Sequence, residues 1–389
     1  MKIQMNEKTL TIYLTGHIDS GNAPVVEVNI MKRLNENSPK DLILDAADLE
    51  YISSAGLRIV LKLRKKFVNL KVINASNDVY EIFDVTGFTE LVDVEKAYRN
   101  FDVSNCELIG EGANGWVYRV NGDTIVKVYK NADSLDDIKR ERELSRTAFL
   151  LGIPTAISFD VVKVGDTYGV VFELLNSKSY CELMKEDPDN LEFCASESIR
   201  ILKTIHSTMA PDDLPHQKDD ALVWARTVKD SFTPEQYEKL IALIEAVPDD
   251  GWLMHGDFHL KNIMLNNDET QLIDMDTLCT GHPIFELAFM FNAYKGFGVL
   301  DRSSIENFFG IPVQLAYKLW RRSLELYFDT EDKEYLDNIE VKASLIGYLR
   351  LMSRVIRKGQ ENTENGKQMM SACRDKIVEA LGQVDSLTF

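Results

Sequence analysis

The 389-residue chain is short of basic charge: 44 Lys and Arg stand against 62 Asp and Glu, a formal net charge of −18 at pH 7. Nucleic-acid phosphates reward clustered cations, so this balance argues against a nucleic-acid partner, and anionic membranes are disfavoured on the same ground. The field favours a cationic small molecule, although an acidic surface also serves solubility alone. Cysteine is scarce too. Cys106, Cys181, Cys194, Cys279 and Cys373 are odd in number, scattered and never spaced C-x-x-C. That leaves no zinc site and suggests reduced thiols in a cytoplasmic protein. No run reaches the 18 apolar residues a membrane crossing needs. MKIQMNEKTL, at the start, lacks the apolar core of a secretion signal.

What is present is apolar material, 45% of residues, sufficient for more than one core, in a length that suggests two or three domains. Residues 1–99 alternate between strand and helix patterns. Leu10–Leu14 alternates and breaks at Gly16, Asp41–Leu44 is a short buried strand, and Leu70–Ile73 is another. Ala23–Leu34, Ala55–Phe67 (with cations toward its end) and Val79–Phe83 read as helices. The pattern predicts an α/β layered domain, joined to the rest by a polar linker, Glu95–Ser104. Ser53 or Ser54 stands where the N-cap of the second helix belongs.

On LTGHID (14–19), DAADLEYISSAGLR (45–58) and VTGF (85–88), this domain resembles the STAS domain of bacterial anti-sigma-factor antagonists. The resemblance implies a protein partner and a switch in which a partner kinase phosphorylates a serine at the helix head, here Ser54. The family's acidic residue just before that serine is Ser53 in this chain. A phosphate there would sit on a helix N-terminus, which favours negative charge.

The densest chemistry lies in Trp252–Asp276. His255, Asp257 and Asn262 stand between the apolar runs 252–254 and 263–265; the turn Asn266–Asp268 comes next, and a strand over 271–273 ends on Asp274. The spacing HxDxxxxN, with an Asp after the next strand, is what phosphoryl transfer uses: Asp257 as base, Asn262 and Asp274 on Mg²⁺. Upstream, Gly110, Gly112 and Gly115 form G-x-G-x-x-G. A dinucleotide fold would run from there into a helix. Here WVYRV and TIVKVY, flanking Asn121-Gly122, are strands, so the glycines form a kinase-type lid over phosphates.

Lys127 in the second of those strands is then the phosphate-binding lysine. The helix 136–151 supplies its glutamate, Glu141 or Glu143, with the register to Gly152-Ile-Pro favouring Glu141. The hairpin Val161–Val164/Tyr168–Phe172 leads into Phe172-Glu173-Leu174-Leu175, read as the hinge for an adenine. Residues 198–206, 234–246 and most of 284–380 are helical, with Met and aromatic stripes as core and pocket walls; His206 is a packed core residue. The tail, 381–389, is expected to fray.

On HGDFHLKN (255–262), LIDMD (272–276) and GHPIFELA (281–288), residues 105–380 resemble the aminoglycoside phosphotransferase and choline kinase group. The resemblance implies an α+β two-lobed protein-kinase-like domain after the α/β STAS-like one, with lobes over 105–175 and 176–389. It implies ATP and Mg²⁺, with Asp257 as base, Asn262 and Asp274 as metal ligands, and Lys127 on the phosphates supported by Glu141. His255 would brace the loop and Asp276 would be a further metal or substrate contact. Glu286 stands where the family has Asp. Protein kinases differ: they place Lys at the position of His259 and Phe-Gly at Met275-Asp276, and they need a long activation segment. Only eleven residues separate Asp274 from Glu286, which favours a small hydroxylated acceptor over a peptide. Two alternatives stand beside this: a kinase-like switch acting on Ser54 of its own or a partner STAS domain, and a nucleotide-binding scaffold without turnover.

Overall fold

Strand β2 (Thr9–Ile18) does not stop at Gly16. It runs through that residue, whose φ of 66° lets the pairing register shift there and resume at His17. The computed structural model describes residues 2–389 except 7, 113, 114, 123, 132–134, 157, 174–176, 267 and 268. It forms two units: Met1–Asn105 with Val161–Gly169, and Cys106–Asp160 with Val170–Phe389.

The first unit holds β1 (Ile3–Asn6), β2, α1 (Ala23–Asn37), β3 (Asp41–Ile52), α2 (Ser54–Lys66), β4 (Leu70–Ala75), α3 (Asn77–Val85) and β5 (Asp93–Lys96). The sheet order is β1-β2-β3-β4-β5, antiparallel at β1 and parallel beyond. Each parallel step needs a crossover, and each helix supplies one. Two expectations change. β3 is twelve residues long, not four, because Leu44, Asp45 and Ala46 are all buried and mask the alternation. Glu95 and Lys96 belong to the sheet rather than to a linker. A short β6 (Arg99–Asn100) pairs in parallel with Val162 and Lys163. At the head of α2 the N-cap is Ser53, whose Oγ accepts from the Gly56 amide at 3.5 Å. Ser54 is the first helical residue, and it is exposed.

In the second unit β7 (Glu107–Glu111), β8 (Gly115–Asn121) and β9 (Thr124–Tyr129) are antiparallel neighbours. Next along the chain come α4 (Leu135–Leu150), β10 (Ser158–Val164) and β11 (Thr167–Glu173), whose residues 161–169 belong to the first unit, then β12 (Ser177–Ser179), α5 (Tyr180–Glu186), α6 (Leu191–His206), α7 (Gln217–Thr227) and α8 (Pro234–Glu245). The chemistry-bearing stretch forms β13 (Leu253–Met254), a loop, and the hairpin β14 (Ile263–Asn266)/β15 (Glu269–Leu272). Asn267 and Asp268, expected in its turn, lie outside the described residues. β16 (Cys279–Thr280) pairs with β13.

After it come α9 (Ile284–Phe291), α10 (Phe297–Leu300), α11 (Arg302–Phe309), α12 (Val313–Phe328), α13 (Lys333–Arg357) and α14 (Glu364–Leu381). All eight residues of α9 are buried, which makes it the centre of the helical core. The tail is packed rather than frayed: Val384 and Leu387 are 2% and 1% exposed, because both reach that core. No described helix is long and apolar enough to cross a membrane.

Candidate active site

The loop after β13 is shaped by one buried carboxylate. Glu286 Oε2 accepts the amides of His255 at 2.6 Å and Gly256 at 3.0 Å, and Oε1 accepts that of Phe258 at 3.3 Å. Burial pushes this carboxyl up to about 7, against the pull of the three amides. Glutamate in place of aspartate therefore keeps the loop buttressed. His255 is fully buried; its Nδ1 accepts from the Asp257 amide at 3.3 Å, which leaves Nε2 to donate to Ile273 O, also at 3.3 Å. It braces two loops. The Tyr294 hydroxyl accepts the Leu260 amide at 3.0 Å, pinning the far side.

Asp257 then stands half-exposed, with Oδ2 3.5 Å from His259 Nε2. Burial would raise its carboxyl, but the His259 hydrogen bond and the nearby Arg350 outweigh it and hold the group at about 2. Asp257 is ionised and ready to accept a hydrogen bond from a hydroxyl. The Asn262 Nδ2 donates to Asp257 O at 3.0 Å, which leaves the amide oxygen of Asn262 for another partner.

Lys127 crosses from β9 to meet two acids. Its Nζ is 2.9 Å from Glu141 Oε1 and 3.0 Å from Asp274 Oδ1. Burial opposes its charge, yet the two carboxylates raise its pKa above the ordinary lysine value. The Tyr129 hydroxyl donates to the other oxygen of Glu141, so that acid is held from both sides. Asp274 itself is left-handed, φ 56°, at the head of a short 3₁₀ turn, Met275–Thr277. It lies two residues past the end of β15, although the sequence pattern carried the strand to Ile273. Asp276 is pushed up to about 6 by burial and by the charges of Glu141 and Asp274.

The structure thus brings together Lys127, Glu141 and Asp274 in one ion-paired group, and Asp257 and Asn262 in one loop; Glu143 takes no part. Carboxylates outnumber the lysine that serves them, and the Asn262 amide oxygen is a further hard-oxygen donor in the neighbouring loop. That chemistry suits Mg²⁺, which binds one or two protein oxygens and fills its shell with water and phosphate. Above, the Gly112 amide donates to Gly115 O at 2.9 Å and Lys130 Nζ to Gly112 O at 3.0 Å. Glu173 is exposed at the end of β11, and Leu174 and Leu175 of the expected hinge lie outside the described residues.

Sequence reasoning missed Tyr129, Tyr294 and Arg350. Tyr129 is two residues beyond Lys127 on one strand face, a signal that was available. Tyr294 and Arg350 reach the loop from helices with no fixed spacing to it.

Two family models match the chain: the phosphotransferase enzyme family (APH) over residues 105–318, and the STAS domain over residues 1–102. The first segment is similar to the anti-sigma-B factor antagonist of Bacillus subtilis (strain 168), 26% identical over 96 residues, 24% of this chain and 86% of that protein. It is also similar to BtrV of Bordetella bronchiseptica, a candidate anti-sigma factor antagonist, 32% identical over 100 residues, 24% of this chain and 85% of that protein. Among solved structures, a thermostable mutant of aminoglycoside phosphotransferase APH(4)-Ia in its apo form shares the fold, with a TM-score of 0.51 at 15% identity over 72% of this chain and 96% of that one.

Proposed function

We propose, for a chain that belongs to the phosphotransferase enzyme family and carries a STAS domain before that region, ATP- and Mg²⁺-dependent transfer of the γ-phosphate to a hydroxyl of a small molecule. The observation that carries the reading is the Lys127 ammonium held between Glu141 and Asp274 while Asn262 ties down the backbone of Asp257. Lys127 would bind the nucleotide's phosphates, with Glu141 and Tyr129 fixing its direction. Gly110, Gly112 and Gly115 would lid them, and Glu173 lies at the expected hinge. Asn262 and Asp274 would hold Mg²⁺, which supplies charge neutralisation at the phosphates when bound. Asp257 would orient the acceptor hydroxyl. As the oxygen bonds to the γ-phosphorus and the bond to the ADP oxygen breaks, the hydroxyl proton passes to the Asp257 carboxylate.

A small acceptor is supported by the short stretch beyond Asp274. Of the residues between Asp274 and Glu286, all but Leu278 and 281–283 lie in a 3₁₀ turn, β16 and the first turn of α9, which leaves no long segment to seat a peptide. The STAS domain would regulate the enzyme or address it to a protein partner. One observation favours a second reading, in which Ser54 is phosphorylated: Ser53 provides the N-cap, so the exposed Ser54 hydroxyl is left over at a helix N-terminus.

The test incubates full-length protein with γ-labelled ATP, Mg²⁺ and a panel of alcohols. Label on a small molecule supports the proposal, and label on Ser54 supports the second reading. Nucleotide binding without turnover would reduce the protein to a scaffold. Asp257→Asn should abolish transfer and spare ATP binding; lost ATP affinity would overturn the role given to Asp257.

A further inference from the structure

Arg350, on α13, helps keep Asp257 ionised but has been given no contact with a ligand in the chemistry above. Its guanidinium lies over the ring of Phe289, 3.8 Å from the centroid, and 6.0 Å from that of Trp224. Nη2 reaches Gly256 O at 3.5 Å, the long limit of a hydrogen bond, and Gly256 adjoins Asp257. The residue is only partly buried, and none of its nitrogens is a sealed donor without a partner among the described residues.

The acids near it are engaged elsewhere. Glu286 is taken by three amides, Asp257 by His259, and Asp220 on α7 by Gln217 at 3.4 Å. No ion pair to Arg350 forms among the described residues. Arg354 and Arg357 lie one and two helical turns further along and share its face. A chain of net charge −18 thus lines three cations along one face of α13, and the first of them, Arg350, reaches the catalytic loop. Stacking on Phe289 fixes the plane of the guanidinium and leaves its N–H edges for a ligand, the geometry that grips carboxylate and phosphate through two parallel bonds.

Resting on the phosphotransferase reading, we infer that the acceptor carries an anionic group, a carboxylate or a phosphate, near the hydroxyl that Asp257 serves, and that Arg350 binds it. This reverses the expectation from net charge, because a ligand beside Asp257 and Arg350 feels adjacent groups far more than the screened field of the whole surface. The bonds made and broken stay as described: oxygen to γ-phosphorus, ADP leaving, proton to Asp257. To its part in keeping Asp257 ionised, Arg350 adds the hold on the acceptor.

The test titrates the full-length protein, with Mg²⁺ and AMP-PNP, by calorimetry against matched probes. One set is glycerate, glycerol phosphate, glycerol and aminopropanediol; the other is gluconate, glucose phosphate, glucose and glucosamine. In at least one set an anionic member should bind about tenfold or more tighter than its neutral and cationic counterparts, and should gain phosphate when ATP replaces AMP-PNP. Arg350→Gln should erase that margin and Arg350→Lys should keep part of it, in variants that melt as the parent does. Carboxylate and phosphate members show which anion is read.

Equal or better binding of neutral or cationic probes, an unchanged margin in Arg350→Gln, or no binding by any anion would overturn the inference. If the variants misfold, the parent's preference across the probes still decides. Transfer to a cationic alcohol would sink this inference alone. Absence of transfer to any alcohol, with no nucleotide hydrolysis, would sink the phosphotransferase reading instead.

Discussion

Glu286 Oε2 lies 2.6 Å from the His255 amide nitrogen, so a carboxylate on α9 sets the backbone from which Asp257 projects. Glu286→Gln tests this. The amide it introduces has one acceptor oxygen and one NH₂, so part of the three-amide set loses its partner inside a dry core. Each unmet donor costs roughly 1–3 kcal/mol. The variant should lower the urea midpoint and reduce kcat while leaving ATP affinity near that of the parent. Glu286→Asp keeps the charge and should be milder on both counts.

Glu141→Gln should act on the nucleotide side. Lys127 would lose a charged partner at 2.9 Å but keep Asp274 at 3.0 Å. A hydrogen bond between charged groups contributes about 1.5–3 kcal/mol, so KM for ATP should rise about tenfold or more, with Tyr129→Phe giving a smaller rise. Steady-state kinetics at saturating acceptor reads both. An unchanged KM would show that Lys127 is positioned by Asp274 alone.

The parts legible in sequence are those written by local spacing. HxDxxxxN, the strand lysine and the Glu141 register each depend on a few consecutive residues; the structure pairs Lys127 with Glu141 and Asp274 and ties Asn262 to Asp257. The limits of β2 and β3 were not legible, because a positive-φ glycine and consecutive buried residues break the alternation that marks a strand. Ile273 looked like strand because it is apolar, but its amide bonds to Asn262 O as the chain turns toward Asp274. Arg350 and Tyr294 were invisible for another reason: tertiary packing alone carries a distant helix onto a loop, 34 residues away for Tyr294 and 94 for Arg350, and no period in the sequence encodes that. The tail's packing likewise depends on a surface built by distant helices.

Gly256→Ala should be among the most damaging single changes in the loop. Its φ is 82°, and a Cβ there would approach Thr277 O to 2.2 Å. A side chain in the left-handed region costs about 1–2 kcal/mol before any clash. By contrast, Gly112→Ala meets nothing nearer than Gly115 O at 4.0 Å among the described residues, so it should melt as the parent does and change only nucleotide parameters. A Gly256→Ala protein as stable as Gly112→Ala, by thermal unfolding, would contradict the close approach of the two loops.

Acid should unfold the second unit partly through His206. Burial, with a smaller contribution from His282, lowers this imidazole to about 3 from an ordinary 6.5. Its Nδ1 bonds the Tyr327 hydroxyl at 2.7 Å, while Nε2 is buried without a partner among the described residues. The sign comes from proton counting. Below pH 6.5 the unfolded chain takes up a proton that the folded one refuses, so stability falls with falling pH until about pH 3, by about 1.4 kcal/mol per unit. His206→Asn removes the titrating group and keeps a polar partner for Tyr327. Between about pH 6.5 and pH 5 the parent should therefore lose about 2 kcal/mol more than the variant, measured by urea unfolding at each pH. Parallel curves would mean that the folded protein accepts the proton, and that the imidazole is not sealed from water.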